Sequence, residues 1–194
     1  MVGAAITHQL NLLVMKKIIL YLLLVALSSF ITGNSKNKPK HILPFPKGSE
    51  YKVIQGWNGK YGHTGAANYA YDFIMPIGSF VTASHKGTII KTESSFEDNT
   101  KTPGKENYII IDHGNNIYSR YYHLTKDGVL VNVGEIVAAG DTIGKSGNSG
   151  ASAGPHLHFD ITKDCFEWGC QTIEFTFKNI KENPLEAGKT YKSN

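Results

Sequence analysis

The sequence predicts an all-β fold of mainly antiparallel sheets, an open sandwich or barrel-like domain with little helix. Three observations lead there. From Tyr51 onward, short runs rich in Val, Ile, Tyr, Phe and Thr are separated by Gly, Asn and Asp, the pattern of half-buried strands closed by turns. No stretch after residue 50 keeps a helical period over about 12 residues. The 20 glycines favour turns over long helices.

Taken in order, the strand-like runs are "YAYDFIM", "GTIIKTE", "NYIIIDHG", "NIYSRYYHL", "GEIVAAGDTIG", "GPHLHFDI" and "TIEFTFKNI". "DHGNN", Asp112 to Asn116, sits between two of them and reads as a hairpin turn. "GKSGNSGASAGP", Gly144 to Pro155, is a loop of small residues directly before a pair of histidines. Small residues there let a backbone or a substrate approach closely.

Upstream the chain changes character. "MKK", Met15 to Lys17, precedes the apolar run Ile18 to Thr32. A charged start and about 15 apolar residues make a signal peptide over 1–33, with Met15 as a second candidate start. The run is short for a spanning helix, which needs about 20 residues. Residues 34–50, "NSKNKPKHILPFPKGSE" with three prolines, read as a linker. That leaves 51–190 as the folded domain, exported to the periplasm, the cell envelope or the outside. No Cys stands directly after the apolar run, which argues against a lipid anchor.

The formal charge of +4 includes Lys16 and Lys17; without residues 1–33 there are 18 basic against 16 acidic side chains. So mild a balance gives no case for a nucleic-acid partner. Nor does anything beyond the N-terminal signal or anchor point to a membrane. Cys165 and Cys170, in "CFEWGC", are the only cysteines. An oxidising compartment favours a disulfide between them over two free thiols.

The histidines carry the chemistry. Alternate residues of a strand share a face, so His156, His158 and Asp160 face one way and Leu157, Phe159 and Ile161 the other. The apolar set faces a core, and the polar set converges on one patch. Alone, the His-x-His pair is a weak metal signal. Asp72, flanked by Tyr71 and Phe73, is costly to bury without a cation or hydrogen-bond donors. His63 lies in a Gly-flanked loop, and His123 ends a run of tyrosines. His85 and His113 sit in turns and read as structural; His8 and His41 carry no weight. Asp160 reads equally as an imidazole-orienting carboxylate or as a solvated acid. Tyr61, Tyr69, Tyr121 and Tyr122 can line a groove, although tyrosines more often fill sheet faces.

Three motifs in this order, "GHTGAANYAYDF", "YYHL" and "GPHLHFDI", resemble the lysostaphin- and LytM-type zinc metallopeptidases of family M23. "MPIGSFVTASHKGTI" and "GEIVAAGDTIGKSGNSG" extend the resemblance, which covers about residues 50–180. It implies a LytM-type domain with one zinc held by His63, Asp72 and His158. It implies catalytic roles for His156 and His123, and peptidoglycan peptides as substrate for a monomeric hydrolase. The favoured assignment is His156 as proton acceptor and His123 as hydrogen-bond partner of the water or oxyanion, although the two can be exchanged. One departure stands out. Many members place three residues between the first His and the Asp, whereas eight intervene here, Thr64 to Tyr71. The main alternative is a zinc-binding but non-catalytic wall-associated module. A cupin-like lyase would need a third metal histidine near the His pair.

Overall fold

The computed structural model describes residues 38–194; the expected signal peptide lies outside them. Twelve strands run through this part: β1 Lys40–His41, β2 Glu50–Gln55, β3 Tyr71–Ile74, β4 Phe80–Thr82, β5 Gly87–Glu93, β6 Asn107–Asp112, β7 Ile117–Val129, β8 Ile136–Val137, β9 Thr142–Ser146, β10 His156–Lys163, β11 Thr176–Phe177 and β12 Thr190–Lys192. One 3₁₀ turn, Gly65–Ala67, is the helical element among the described residues. No helix among them is long and apolar enough to cross a membrane.

Ten strands form one open sheet in the order β12-β2-β3-β10-β7-β6-β5-β8, with β9 joining β7 to β4. Every pairing within it is antiparallel. The all-β expectation holds. β10 lies between β3 and β7, so both edges of its backbone are hydrogen-bonded and its side chains are fixed on two faces. On one face Leu157, Phe159 and Ile161 are fully buried with Phe73, Val53, Ile109, Ile111 and Tyr121. This alternation locks the register, because a one-residue slip would send His156, His158 and Asp160 into the core.

The linker expectation needs correction. Residues from Pro39 onward belong to the same compact unit as the rest, which extends to Asn194. β1 pairs with β11 in a small parallel sheet, and Leu43 and Phe45 are core residues. The Phe45 ring packs edge-on against Tyr51 and Phe73. Three prolines suggested a linker, but the alternation of His41, Leu43 and Phe45 was the weightier signal, a strand-like buried face. At the other end, Tyr191 on β12 is buried beside β2, beyond the expected boundary at residue 190.

The Gly-rich loop before β10 does allow a close approach. A side chain at Gly147 would collide with the backbone of Thr125, so a residue with a Cβ would push β9 away from β7.

Candidate metal centre and cleft

The polar face of β3, β10 and β7 floors a cleft of about 950 Å³. Direct cross-strand pairing puts His158 opposite Asp72 on one side and Tyr122 on the other. Cross-strand neighbours of this kind are about 5 Å apart, which is how residues 86 positions apart come to touch. His158 Nδ1 lies 2.9 Å from Asp72 Oδ1. His63 Nε2 lies 3.1 Å from the same oxygen and 3.4 Å from His158 Nδ1. The structure therefore brings together the three residues expected to hold a metal, with their ligand atoms within 4.8 Å of one another.

The outer nitrogens decide what those atoms can do. His63 Nδ1 donates to the carbonyl of Gly56 at 3.0 Å, which leaves Nε2 as an acceptor. His158 Nε2 donates to Asp160 Oδ2 at 3.1 Å, which leaves Nδ1 as an acceptor. Two imidazole lone pairs and a carboxylate oxygen then point at one spot. Three acceptors converging in a buried place require a positive charge between them. Two His and one carboxylate are a zinc donor set that keeps a fourth position open. The residues present therefore fit the metal that the motifs imply.

The surrounding groups are ordered around this set. Gln55 Nε2 donates to Asp72 Oδ2 at 3.0 Å. A proton on His158 Nδ1 is the alternative source of the positive charge between the three acceptors: burial works to raise the Asp72 pKa, but the hydrogen bond from His158, with a further contribution from His63, outweighs it and holds the carboxyl far below the usual range. Burial likewise works to lower the His158 pKa, and its bonds to Asp160 and Asp72 outweigh it, pushing it up to about 9. Asp160 is not a solvated acid: it is buried, and Arg120 Nε and Nη2 grip its two oxygens at 2.7 and 2.9 Å. It orients the His158 ring, the first of its two readings.

His156 and His123 complete the floor, with ring centroids 4.7 Å apart. His156 Nδ1 donates to the Gly154 carbonyl at 2.8 Å, and its Nε2 lies 3.7 Å from Asp72 Oδ1. His123 Nδ1 donates to the Ser149 carbonyl at 2.8 Å. Both rings thus present Nε2 as an acceptor. Burial lowers both pKa values, His123 to about 3 with help from the neighbouring His156 and His158.

His123 reaches the cleft by a route that simple alternation does not give. β7 does not end there. Asn107 and Tyr108 on β6 pair with Leu124 and Tyr122, so His123 is the extra residue of a β-bulge. Its φ of 63° is a left-handed conformation. The bulge turns His123 to the side that Tyr122 already faces, while Tyr121 and Leu124 stay in the core.

The expected tyrosine groove is mostly something else. Tyr61 lines the cleft and is 87% exposed. Tyr69 packs on Trp57, and Tyr121 lies in the core with its hydroxyl accepting from Ser84 N. The Tyr122 ring supports His158 and Trp168. His85 and His113 stand apart from the cleft lining, as expected of structural residues. His41, passed over in the sequence, is a buried member of their cluster.

Several residues of the site escaped sequence reasoning: Gln55, Arg120, Glu106, Ser152 and Trp168. One signal was available. Arg120 is the only arginine of the chain, and an arginine inside a strand of tyrosines needs a buried acid. Cys165 and Cys170 are joined in a disulfide, as expected.

Comparison with known proteins follows the same lines. The sequence profile of peptidase family M23 matches residues 66–169, a segment that begins just after His63. Peptidoglycan DD-endopeptidase ShyA of Vibrio cholerae is 35% identical over 121 residues, 60% of this chain and 26% of that protein. Lysostaphin of Staphylococcus simulans is 37% identical over 121 residues, 61% of this chain and 23% of that one. The chain thus spans about a quarter of the length of these curated relatives. A solved zinc containing peptidase from Vibrio cholerae superposes with a TM-score of 0.51 and 28% identity, covering 70% of this chain and 39% of that one. With more than half of its length matched by the profile, the protein belongs to peptidase family M23.

Proposed function

We propose that the protein is an exported zinc metalloendopeptidase that hydrolyses peptide cross-links of bacterial peptidoglycan. The observation that carries this reading is the convergence of His63 Nε2, Asp72 Oδ1 and His158 Nδ1 at the floor of an open cleft. Family membership and relatives named for peptidoglycan endopeptidase activity support the substrate. Residues 1–33 would serve as the export signal.

When bound, zinc lowers the pKa of water toward ~7 and polarises a peptide carbonyl. The chain supplies proton transfer and positioning. His156 Nε2 is unprotonated and lies 3.7 Å from Asp72 Oδ1, beside the candidate ligands, so it takes the proton of the attacking water. As the new C–O bond forms and the C–N bond breaks, the His156 imidazolium returns that proton to the leaving amine. Ser152 Oγ, 3.1 Å from His156 Nδ1, and the Gly154 carbonyl hold the ring in this tautomer. His123 has its Nδ1 proton committed to Ser149, so in the resting site its Nε2 accepts a hydrogen bond and orients the water. It becomes a donor to the oxyanion only after gaining a proton.

A turbidity assay on purified peptidoglycan tests the reading. Lysis should stop with EDTA and return with added zinc. A zinc-loaded protein inert on peptidoglycan from many sources would refute it. His156→Ala should keep its zinc, measured by atomic absorption, while kcat falls about 10²- to 10⁴-fold, the range for losing a general base. Equal loss of zinc in that variant would move His156 into the ligand set.

A further inference from the structure

The loop closed by Cys165–Cys170 is built into the cleft, and the proposed proton transfers give it no task. Trp168 lies at its tip, lines the cleft with Gly169 and Cys170, and is 73% exposed. A large aromatic side chain left this exposed contributes little to the core. It is not idle surface either, because the loop beneath it is held firmly. Arg120 Nη1 donates to the Glu167 carbonyl at 2.5 Å. Asn116 holds Asp164 at 3.0 Å, the Phe166 ring packs on Tyr118, and Lys91 pairs with Glu167 at 2.9 Å. Just past the disulfide, Thr172 N donates to the Ala66 carbonyl at 2.7 Å, inside the eight-residue segment between His63 and Asp72. The indole itself stands edge-on to Tyr122, ring centroids 5.6 Å apart, and Tyr122 abuts His158. The apolar faces of Ile54, Ile74 and Tyr61 line the same cleft and are also exposed. Four large apolar side chains exposed around one cleft mark a place that meets an apolar group.

We propose that Trp168, held in place by the Cys165–Cys170 loop, is a specificity residue that contacts a small alkyl side chain beside the scissile bond, so that alanyl peptides are preferred over glycyl ones. This rests on the peptidase reading above. Glycine offers the four apolar side chains nothing to cover, whereas a methyl group removes part of their surface from water. One such group in an apolar pocket is worth about tenfold in kcat/KM.

The test uses the zinc-loaded full chain and two soluble cross-linked peptides that differ only in D-alanine or glycine at the residue giving the scissile carbonyl. Wild type should prefer the alanyl peptide by about tenfold. Trp168→Ala should raise KM for the alanyl peptide about tenfold, KM for the glycyl peptide less than about threefold, and keep full zinc content. Trp168→Phe should retain most of the preference. Cys165→Ser/Cys170→Ser should reproduce the alanyl KM increase, since it frees the loop without touching the indole. Equal losses on both peptides, a loss confined to kcat, or an unchanged preference would overturn the proposal. If the wild type cuts neither peptide, the peptidase reading fails on its own. Calorimetric titration of both peptides into wild type and Trp168→Ala then decides the role of Trp168: weaker binding of the alanyl peptide alone supports it, and no change refutes it.

Discussion

Replacing His158 with alanine is expected to abolish zinc retention and hydrolysis together. His158 Nδ1 faces Asp72 and His63, and its Nε2 bonds to Asp160. The substitution removes one of three donors and leaves the Asp160 oxygen without that partner. Loss of a partner behind a ligand already costs about 10- to 100-fold in metal affinity, so losing the ligand itself must cost more. Zinc content after dialysis and the rate of peptidoglycan lysis should both fall to background. The thermal midpoint measured without added metal separates this from unfolding, because the core side of β10, with Leu157, Phe159 and Ile161, is untouched. A variant that retains one zinc per chain would remove His158 from the ligand set.

Arg120→Met is expected to be the most destabilising single change at the site. The guanidinium is buried and grips both oxygens of a buried Asp160. Truncating one member of such a pair leaves an uncompensated charge, at about 3–5 kcal/mol. In a domain of this size that lowers the melting temperature by about 10 °C. Zinc affinity should drop about 10- to 100-fold as well, since Asp160 orients His158. A double variant separates the two effects. Arg120→Met with Asp160→Leu removes both charges and should recover most of the melting temperature, because an apolar replacement of a buried pair is often neutral. It should not recover the affinity, because the His158 Nε2–H then lacks its acceptor. Recovery of both would mean that the pair supports the fold alone.

Much of this site was legible because strands encode it locally. The alternation in "GPHLHFDI" separated a core face from a chemical face, and the structure keeps that division residue by residue. The ordered motifs then brought Asp72 and His63 to the same place. The missing parts depend on contacts between distant segments. Nothing in "SRYYHL" states that His123 is a bulge, because the extra residue exists only relative to β6. The partnership of Arg120 with Asp160 spans 40 positions, and that of Thr172 with Ala66 spans 106. Tyr121 and Tyr122 are neighbours with identical side chains, yet one lies in the core and the other beside His158. The N-terminal arm reads as a linker for another reason: its three prolines mask the alternation of His41, Leu43 and Phe45, which are buried.

The left-handed backbone at His123 bears on how this protein can be improved in the laboratory. A residue with a side chain held in that region carries about 1–3 kcal/mol of strain, and glycine adopts it freely. Libraries ranked by heat resistance would therefore drift toward glycine at position 123 and report success. They would be enriching chains that have given up an imidazole of the proposed reaction. Selection for durability at this position has to be coupled to turnover from the first round.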